Sequence, residues 1–412
     1  MTGARGQSLA DYGWRFRGHP VGVLEDRSFT LDPARQREVA ALMSRYCGDG
    51  ASLLSCLQCG MCTASCNVVE DGNLFPRRQL TLLQLGQTER LMADPDVWLC
   101  LNCTDCSSRC PAKARPGRVM AAVRQMAIEH YAMPRFVGRL INSPRTFLWV
   151  VLTLALLLLA AIAAGGSFAL PRNSVRYSAM LPHLPLDLVF LTATALLTLS
   201  AARGAARAWK AFAGEPFWRA EVRHLIPAVG SAVREILGHR QFSKCEQFPL
   251  SRWAHVAVLY GFLSLFVLSG LVAALTPLGL RYPFSLLHPL KIFGNLAATL
   301  LILGTGYFLV QRRRASASDD DQSTWFDWAL LVELLLLGVT GVLTEVFRYI
   351  NSPALAYPTY FAHLVLALTL LVSIPYSKFA HVIYRTLALT ARQYRELGEV
   401  ARIHRENRRI LA

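Results

Sequence analysis

Two cysteine runs with the same spacing constrain this chain more than any other feature. Residues 56 to 66 read C-L-Q-C-G-M-C-T-A-S-C and residues 100 to 110 read C-L-N-C-T-D-C-S-S-R-C. Each is C-x2-C-x2-C-x3-C, the spacing of chains that bind two four-iron clusters. Two-residue gaps let three thiolates wrap one face of a cubane, while the displaced fourth points to the neighbouring cluster. The expected ligands are therefore Cys56, Cys59, Cys62 and Cys110 for one cluster and Cys100, Cys103, Cys106 and Cys66 for the other. Zinc sites also use C-x2-C pairs, but four ligands per ion do not explain a third and fourth cysteine at the same offsets in both runs. Cys47 and Cys245 have no cysteine partner at ligand spacing and read as free thiols.

Beyond about residue 145 the composition changes. The chain is 53% hydrophobic over 412 residues, and the second part holds repeated apolar runs of about 20 residues, the length that spans a bilayer core. We read six spans, at 146–167, 185–202, 254–275, 289–311, 327–347 and 359–381. Each is helical, because backbone polar groups in lipid must be satisfied within the segment. The net charge of +16 sits at helix ends, as the positive-inside rule expects, and does not point to nucleic acid. Arg312, Arg313 and Arg314, then Arg385, Arg392 and Arg395, and the basic loop from Arg203 to Arg252 all fall on the side of both termini, which that rule makes cytoplasmic. Trp149, Trp253, Trp325 and Trp328 fit an interfacial belt there. Met1 to Leu53 has no apolar stretch of the kind a secretory signal needs, and cysteines facing a reducing compartment are expected to hold metal rather than form disulfides.

The expected fold is all-α: a helical ferredoxin-type domain with two 4Fe-4S clusters fused to a six-helix transmembrane cytochrome b bundle. Its expected segments are an N-terminal extension (1–45), the double-cluster domain (46–140), two first spans (141–202), a basic loop with an interfacial helix (203–252), a four-helix dihaem unit (253–383) and a basic tail (384–412). Between the runs, Pro76 can open a helix carrying Leu80, Leu82, Leu83 and Leu85. Leu225, Ile226, Val229, Val233, Ile236 and Leu237 form a helical apolar stripe beside Arg219, Arg223 and Arg234, an interfacial pattern.

Histidines in lipid are costly and usually functional. His363 and His381 are 18 residues apart; on one unbroken helix that is five turns and roughly 27 Å, with both imidazoles on one face. Threading pairs His255 with His381 at the inner surface and His288 with His363 at the outer one, each pair an axial set for a haem b. His183 is the reserve ligand outside, and His19, His130, His224, His239 and His404 read as surface residues. Lys291, Glu345 and Arg348 gather at the outer side, where a quinone headgroup needs a hydrogen-bond donor and a proton route; an i, i+3 ion pair of Glu345 with Arg348 is the plainer alternative. Glu333 lies deeper in the fifth span.

The two cysteine runs, H-R-Q-F-S-K-C at 239–245 and H-P-L-K-I-F-G-N at 288–295 resemble the membrane subunit of the quinone-interacting membrane-bound oxidoreductase complex. In that family a ferredoxin module like the C subunit of heterodisulfide reductase is fused to a cytochrome b like its E subunit. The membrane part is also similar to the gamma subunit of respiratory nitrate reductase. There the last span carries two haem-ligating histidines at the spacing of His363 and His381, with two more on a partner span. Here His255 matches the first partner, Leu265 stands at the second, and His288 is the replacement. That family's quinol-site lysine is similar in placement to Lys291 after Thr276 and Pro277.

The resemblance implies electron transfer between menaquinone and flavin-containing iron–sulfur partner subunits (like the A and B subunits of that complex), and onward to adenylylsulfate reductase. A heterodisulfide-reductase-like complex with another electron partner is the near alternative, and a zinc-binding membrane sensor or scaffold the distant one. No CCG-type cysteine motif and no G-x-G-x-x-G after a strand pattern is present, so disulfide, flavin and nicotinamide chemistry must come from partners.

Overall fold

The computed structural model describes residues 33–47, 51–68, 73–239, 241, 250–276, 278–280, 283–316 and 324–411. His19, Cys245 and Pro277 lie outside them, as does the side chain of Cys47. Among the described residues the chain is helical and holds no strand.

Before the membrane part come α1 (Pro33–Cys47), α2 (Ala51–Leu54), α3 (Met61–Ala64), α4 (Arg77–Gln84), α5 (Thr88–Met92), α6 (Asp105–Ser108), α7 (Pro116–Tyr131) and α8 (Arg135–Ile141). As expected, α4 follows directly on Pro76 and buries Leu80 and Leu83. A 3-10 turn, Pro95–Leu99, leads into the second cysteine run and buries all five of its residues. Asp94 caps it by accepting the Asp96 N–H at 3.0 Å, a common way to satisfy a first-turn donor.

Six helices are long and apolar enough to cross a membrane: α9 (Pro144–Gly165), α11 (His183–Ala213), α13 (Ser251–Leu275), α14 (Pro289–Ser316, spanning to Arg314), α15 (Trp325–Tyr349) and α16 (Pro353–Ser373). The short α10 (Tyr177–Met180) lies between the first two and α12 (Val222–Gly238) between the second and third. Leucines exposed along α9, α11 and α13 face where lipid would be, and α16 is the most enclosed span. It packs against α15, α9 and α11, while α13 packs on α14 and α14 on α15. Gly261 and Gly304 let α13 and α14 touch, since a Cβ on either would lie 2.8 Å and 2.7 Å from the Ala297 and Ala254 carbonyls; small residues play this role in membrane bundles.

The last span differs from its expected extent. The helix starts at Pro353, its first-turn proline, and ends at Ser373. Pro375, with no N–H and a ring that clashes with the carbonyl four residues back, stops it. A turn and the 3-10 segment Lys378–Ala380 follow, and α17 (His381–Leu411) begins there. The five-turn register between His363 and His381 is therefore broken. His363 lies ten residues inside α16, about 15 Å from its start, rather than near an end.

One buried core joins the cysteine-bearing part to the membrane stems. Met43 of α1, Trp98, Met120 and Tyr131 share it with Trp209 and Phe212 of α11 and with Tyr384, Ala388, Ala391 and Tyr394 of α17. The stretch 384–394, read from sequence as part of a tail, is thus packed, and the helix runs on to Leu411 with 402–410 exposed. In α12 Ala228 and Ala232 are buried, while Ile226, Val229, Val233 and Leu237 of the apolar stripe are exposed.

Candidate functional site: two cysteine cradles and a histidine cluster

The two cysteine runs fold alike. Gln58 and Asn102, at matching places in the first gap, have φ of 55° and 60°; Gly60 and Thr104, in the second gap, have 84° and 69°. These left-handed residues curl each loop so that three sulfurs face one side. Gly60 and Thr104 then open the one-turn helices α3 and α6, which carry Cys62 and Cys106 in their first turns. Backbone N–H groups point at sulfur: Asn102 donates to Cys100 Sγ and Ala114 to Cys110 Sγ, each at 3.4 Å.

The sulfurs of the two runs sense one another. Burial pushes the Cys62 thiol up, helped by Cys56 and by Cys110 from the other run. Burial likewise pushes Cys106 up, helped by Cys100, Cys103 and, from the other run, Cys66 and Cys62. Cys66, Cys100, Cys103 and Cys106 also line one cavity, closed by Phe75, Pro76 and Met120. Among the described residues no three His, Cys, Asp or Glu side chains converge on a point as ligands of one ion do. A cubane instead takes one thiolate on each iron corner, which suits four sulfurs spread around a cavity. The residues fit a four-iron cluster, and a site that disfavours bare thiolates is matched by the positive charge of iron.

Arg124 of α7 braces the second run, donating to the Cys100 carbonyl at 2.6 Å and to Asn102 Oδ1 at 3.2 Å. From the membrane side Arg385 of α17 donates to the carbonyls of Trp98 at 2.7 Å and Leu99 at 3.3 Å, just before Cys100. Arg392, about two turns further along, lies 3.4 Å from the fully buried Asp96. The second run therefore faces α17, the helix that follows the last span.

His381 opens α17 one turn before Arg385. Its ring centre is 6.2 Å from that of His255 on α13, the planes at 81°. Two imidazoles holding one metal between them, with metal–nitrogen bonds of about 2.0 Å, would have ring centres about 6 Å apart, a spacing at which this pair could hold a haem iron. Tautomers agree. His381 Nδ1 lies 2.6 Å from the Lys378 carbonyl, which requires a proton on Nδ1 and puts the lone pair on Nε2. Metal-bound histidines commonly donate their other N–H in this way. His363 has the same state: the Thr340 hydroxyl donates to Leu336 O at 2.7 Å, so its oxygen receives His363 Nδ1–H at 3.0 Å. Gly341 leaves room for that ring, since a Cβ there would lie 3.1 Å from His363 Cε1.

His288 is built the other way. Its Nδ1 accepts the Leu290 N–H at 3.3 Å, which puts any proton of the neutral ring on Nε2, and the ring stacks on Phe284 at 4.3 Å. It directly precedes α14, whereas His363 is mid-helix, and the two share no ring contact or hydrogen bond among the described residues. The depth match expected for this pair does not hold. His183 stands at the first position of α11. His239, expected at the surface, is buried and meets His255 Nδ1 through Nε2 at 2.8 Å.

Near the end of α15 Glu345 pairs with Lys291, Nζ to Oε2 2.7 Å, and accepts from Asn295 at 3.2 Å; among the described residues the alternative pairing with Arg348 does not form. Asn295 was missed from sequence, although it lies one turn after Lys291 on the same helix face. Glu333 is buried in α15 with no hydrogen-bond partner for Oε1 among the described residues. At the start of α15 Asp327 joins Arg312, at 3.5 Å, and Lys378, three residues before His381.

Residues 52–114 match the family model of the 4Fe-4S dicluster domain. The E subunit of a dihydromethanophenazine:CoB–CoM heterodisulfide reductase from Methanosarcina acetivorans is 30% identical over 220 residues, covering 49% of this chain and 80% of the relative. The chain belongs to the family of the heterodisulfide reductase E subunit. A protein like the heterodisulfide reductase C subunit, from Archaeoglobus profundus, is 34% identical over 82 residues, 20% of this chain. The match spans 44% of that relative's length. No solved structure matches. The chain thus joins features of the C and E subunits and has six helices long and apolar enough to cross a membrane.

Proposed function

We propose that the chain passes electrons between a lipid-soluble quinone, menaquinone in the first instance, and soluble flavin and iron–sulfur subunits. The observation that carries this reading is the direct junction of the second cysteine cradle with the helix that begins at His381, through Arg385 and the Trp98 and Leu99 carbonyls. Cys56, Cys59, Cys62 and Cys110 are proposed for one four-iron cluster and Cys100, Cys103, Cys106 and Cys66 for the other. His255 and His381 are proposed for an inner haem b and His363 for a second, outer one. Its other ligand is proposed to be His183, at the first position of α11, in place of His288, whose Nδ1 is occupied by the Leu290 N–H. Bound there, haem and clusters supply one-electron carriers that divide the two electrons of a quinol.

This chain's own residues handle the headgroup and its protons. Lys291 Nζ donates to a quinone carbonyl, Glu345 exchanges the proton, Asn295 holds Glu345, and Arg348 keeps the outer end positive. Positive-inside charge supports a cytoplasmic location for the clusters and both termini. The family resemblance supports a quinone-interacting oxidoreductase complex linked to adenylylsulfate reductase. The relatives of C and E type support a second reading, a heterodisulfide-reductase-like complex with another soluble partner; neighbouring genes separate the two. Replacing Lys291 by Ala tests the quinone site. Quinol-dependent haem reduction is expected to slow by about 100-fold with haem content unchanged, and an unchanged rate would move the site elsewhere.

A further inference from the structure

We propose that His239 is a positioning residue for His255: it accepts the His255 Nδ1–H and so fixes the tautomer, orientation and basicity of that imidazole. The inference rests on the reading of His255 and His381 as haem ligands.

His239 sits just beyond the C-terminus of α12 with φ 48° and ψ 37°. This left-handed capping place usually falls to Gly or Asn, which adopt it at less cost. A bulky ring there is poorly explained by capping alone. The ring is also not displayed to solvent, being 5% exposed, and its centre lies 4.9 Å from that of His255.

The hydrogen bonds run in one direction. His239 Nδ1 lies 3.4 Å from the Leu237 carbonyl, which can only accept. A proton on His239 Nδ1 leaves Nε2 as an acceptor, and at 2.8 Å the group facing it is His255 Nδ1. His255 then carries its proton on Nδ1 and its lone pair on Nε2, the state that His381 reaches through Lys378. The two candidate ligands are thereby matched by unrelated devices, a backbone carbonyl for one and an imidazole for the other.

The end of α12 is clamped where this requires it. Arg252 donates to Gly238 O at 3.1 Å and Tyr260 to Leu237 O at 3.3 Å, both from α13. The helix that supplies His239 is therefore tied to the helix that supplies His255. A histidine that donates to a good acceptor is a more basic ligand, and a more basic ligand favours ferric over ferrous iron.

The test is a potentiometric titration of the purified full-length protein in detergent, followed optically and by electron paramagnetic resonance. His239→Asn keeps a residue suited to the left-handed cap but is too short to reach His255; His239→Gln restores an acceptor of longer reach. The expected result for His239→Asn is retained haem, a positive shift in the midpoint potential of one haem only, and altered low-spin g values for that haem. His239→Gln should return part of both changes. Potentials and g values in His239→Asn equal to those of the wild type would overturn the proposal and leave His239 a capping residue. A wild-type protein without haem would instead overturn the ligand assignment beneath it.

Discussion

The rings of Trp98 and Tyr384 lie 5.3 Å apart, tilted by 31°, and they join the segment before Cys100 to the helix that begins at His381. Tyr131 packs 5.6 Å from the same tyrosine. Next to it, Arg385 holds the Trp98 and Leu99 carbonyls, so cluster cradle and histidine pair are fixed to each other by short, rigid contacts rather than by a linker.

Arg385→Ala should loosen this junction. Losing hydrogen bonds from a charged donor costs about 1.5–3 kcal/mol of stability, seen as earlier thermal unfolding in detergent. The same variant should slow cluster reduction after haem reduction in a rapid-mixing experiment, while quinol-dependent haem reduction keeps its wild-type rate.

The proposed crossed ligation of the two clusters predicts a non-local effect of single substitutions. Cys110→Ala removes a sulfur that lies in the second run, yet the cluster lost should be that of Cys56, Cys59 and Cys62. Iron content halves, and the surviving cluster is the one beside Arg124 and Arg385, identified by combining Cys110→Ala with Arg124→Ala and observing a changed signal from it.

Gly60 and Thr104 occupy equivalent places with positive φ, and a Cβ on Gly60 would meet nothing closer than Arg77 at 3.6 Å. Space is therefore not limiting and backbone strain is. Gly60→Thr should cost about 1–2 kcal/mol, and Thr104→Gly should be neutral or stabilising. The rate of cluster loss under a chelator reads both changes.

Asp327 holds Lys378 and Arg312 and also closes a capping box with Thr324 at the start of α15. Asp327→Ala leaves two half-buried cations without their carboxylate, a loss of about 3–5 kcal/mol. Since Lys378 O also orients His381, this variant should lose the inner haem before it loses the clusters, as optical spectra during thermal unfolding would record.

Much of this was legible in the sequence because it depends on local spacing. The cysteine offsets determine the paired loops, and the apolar runs locate the six spans to within a few residues, except where α11 extends as helix beyond the bilayer length and where the last span stops short. That break after Ser373 was also written there, in Pro375, but the 18-residue interval between His363 and His381 drew attention to an unbroken helix that this proline forbids. Arg385, Trp98 and Tyr384 were not legible, since they meet across nearly the whole chain and no periodicity records such a contact. His239 gave a partial signal: it follows the last apolar residue of α12 and a glycine, a helix end, but its bond to His255 depends on how α12 folds back onto α13.

The central claim is that one chain wires haem to two iron–sulfur clusters. Metal and cofactor analysis of the purified protein, with optical spectra before and after dithionite, tests it most directly. The account predicts about eight cluster irons per chain, inferred from two four-iron cubanes, together with dithionite-sensitive haem b bands. Zinc in place of iron, with no haem bands, would contradict it.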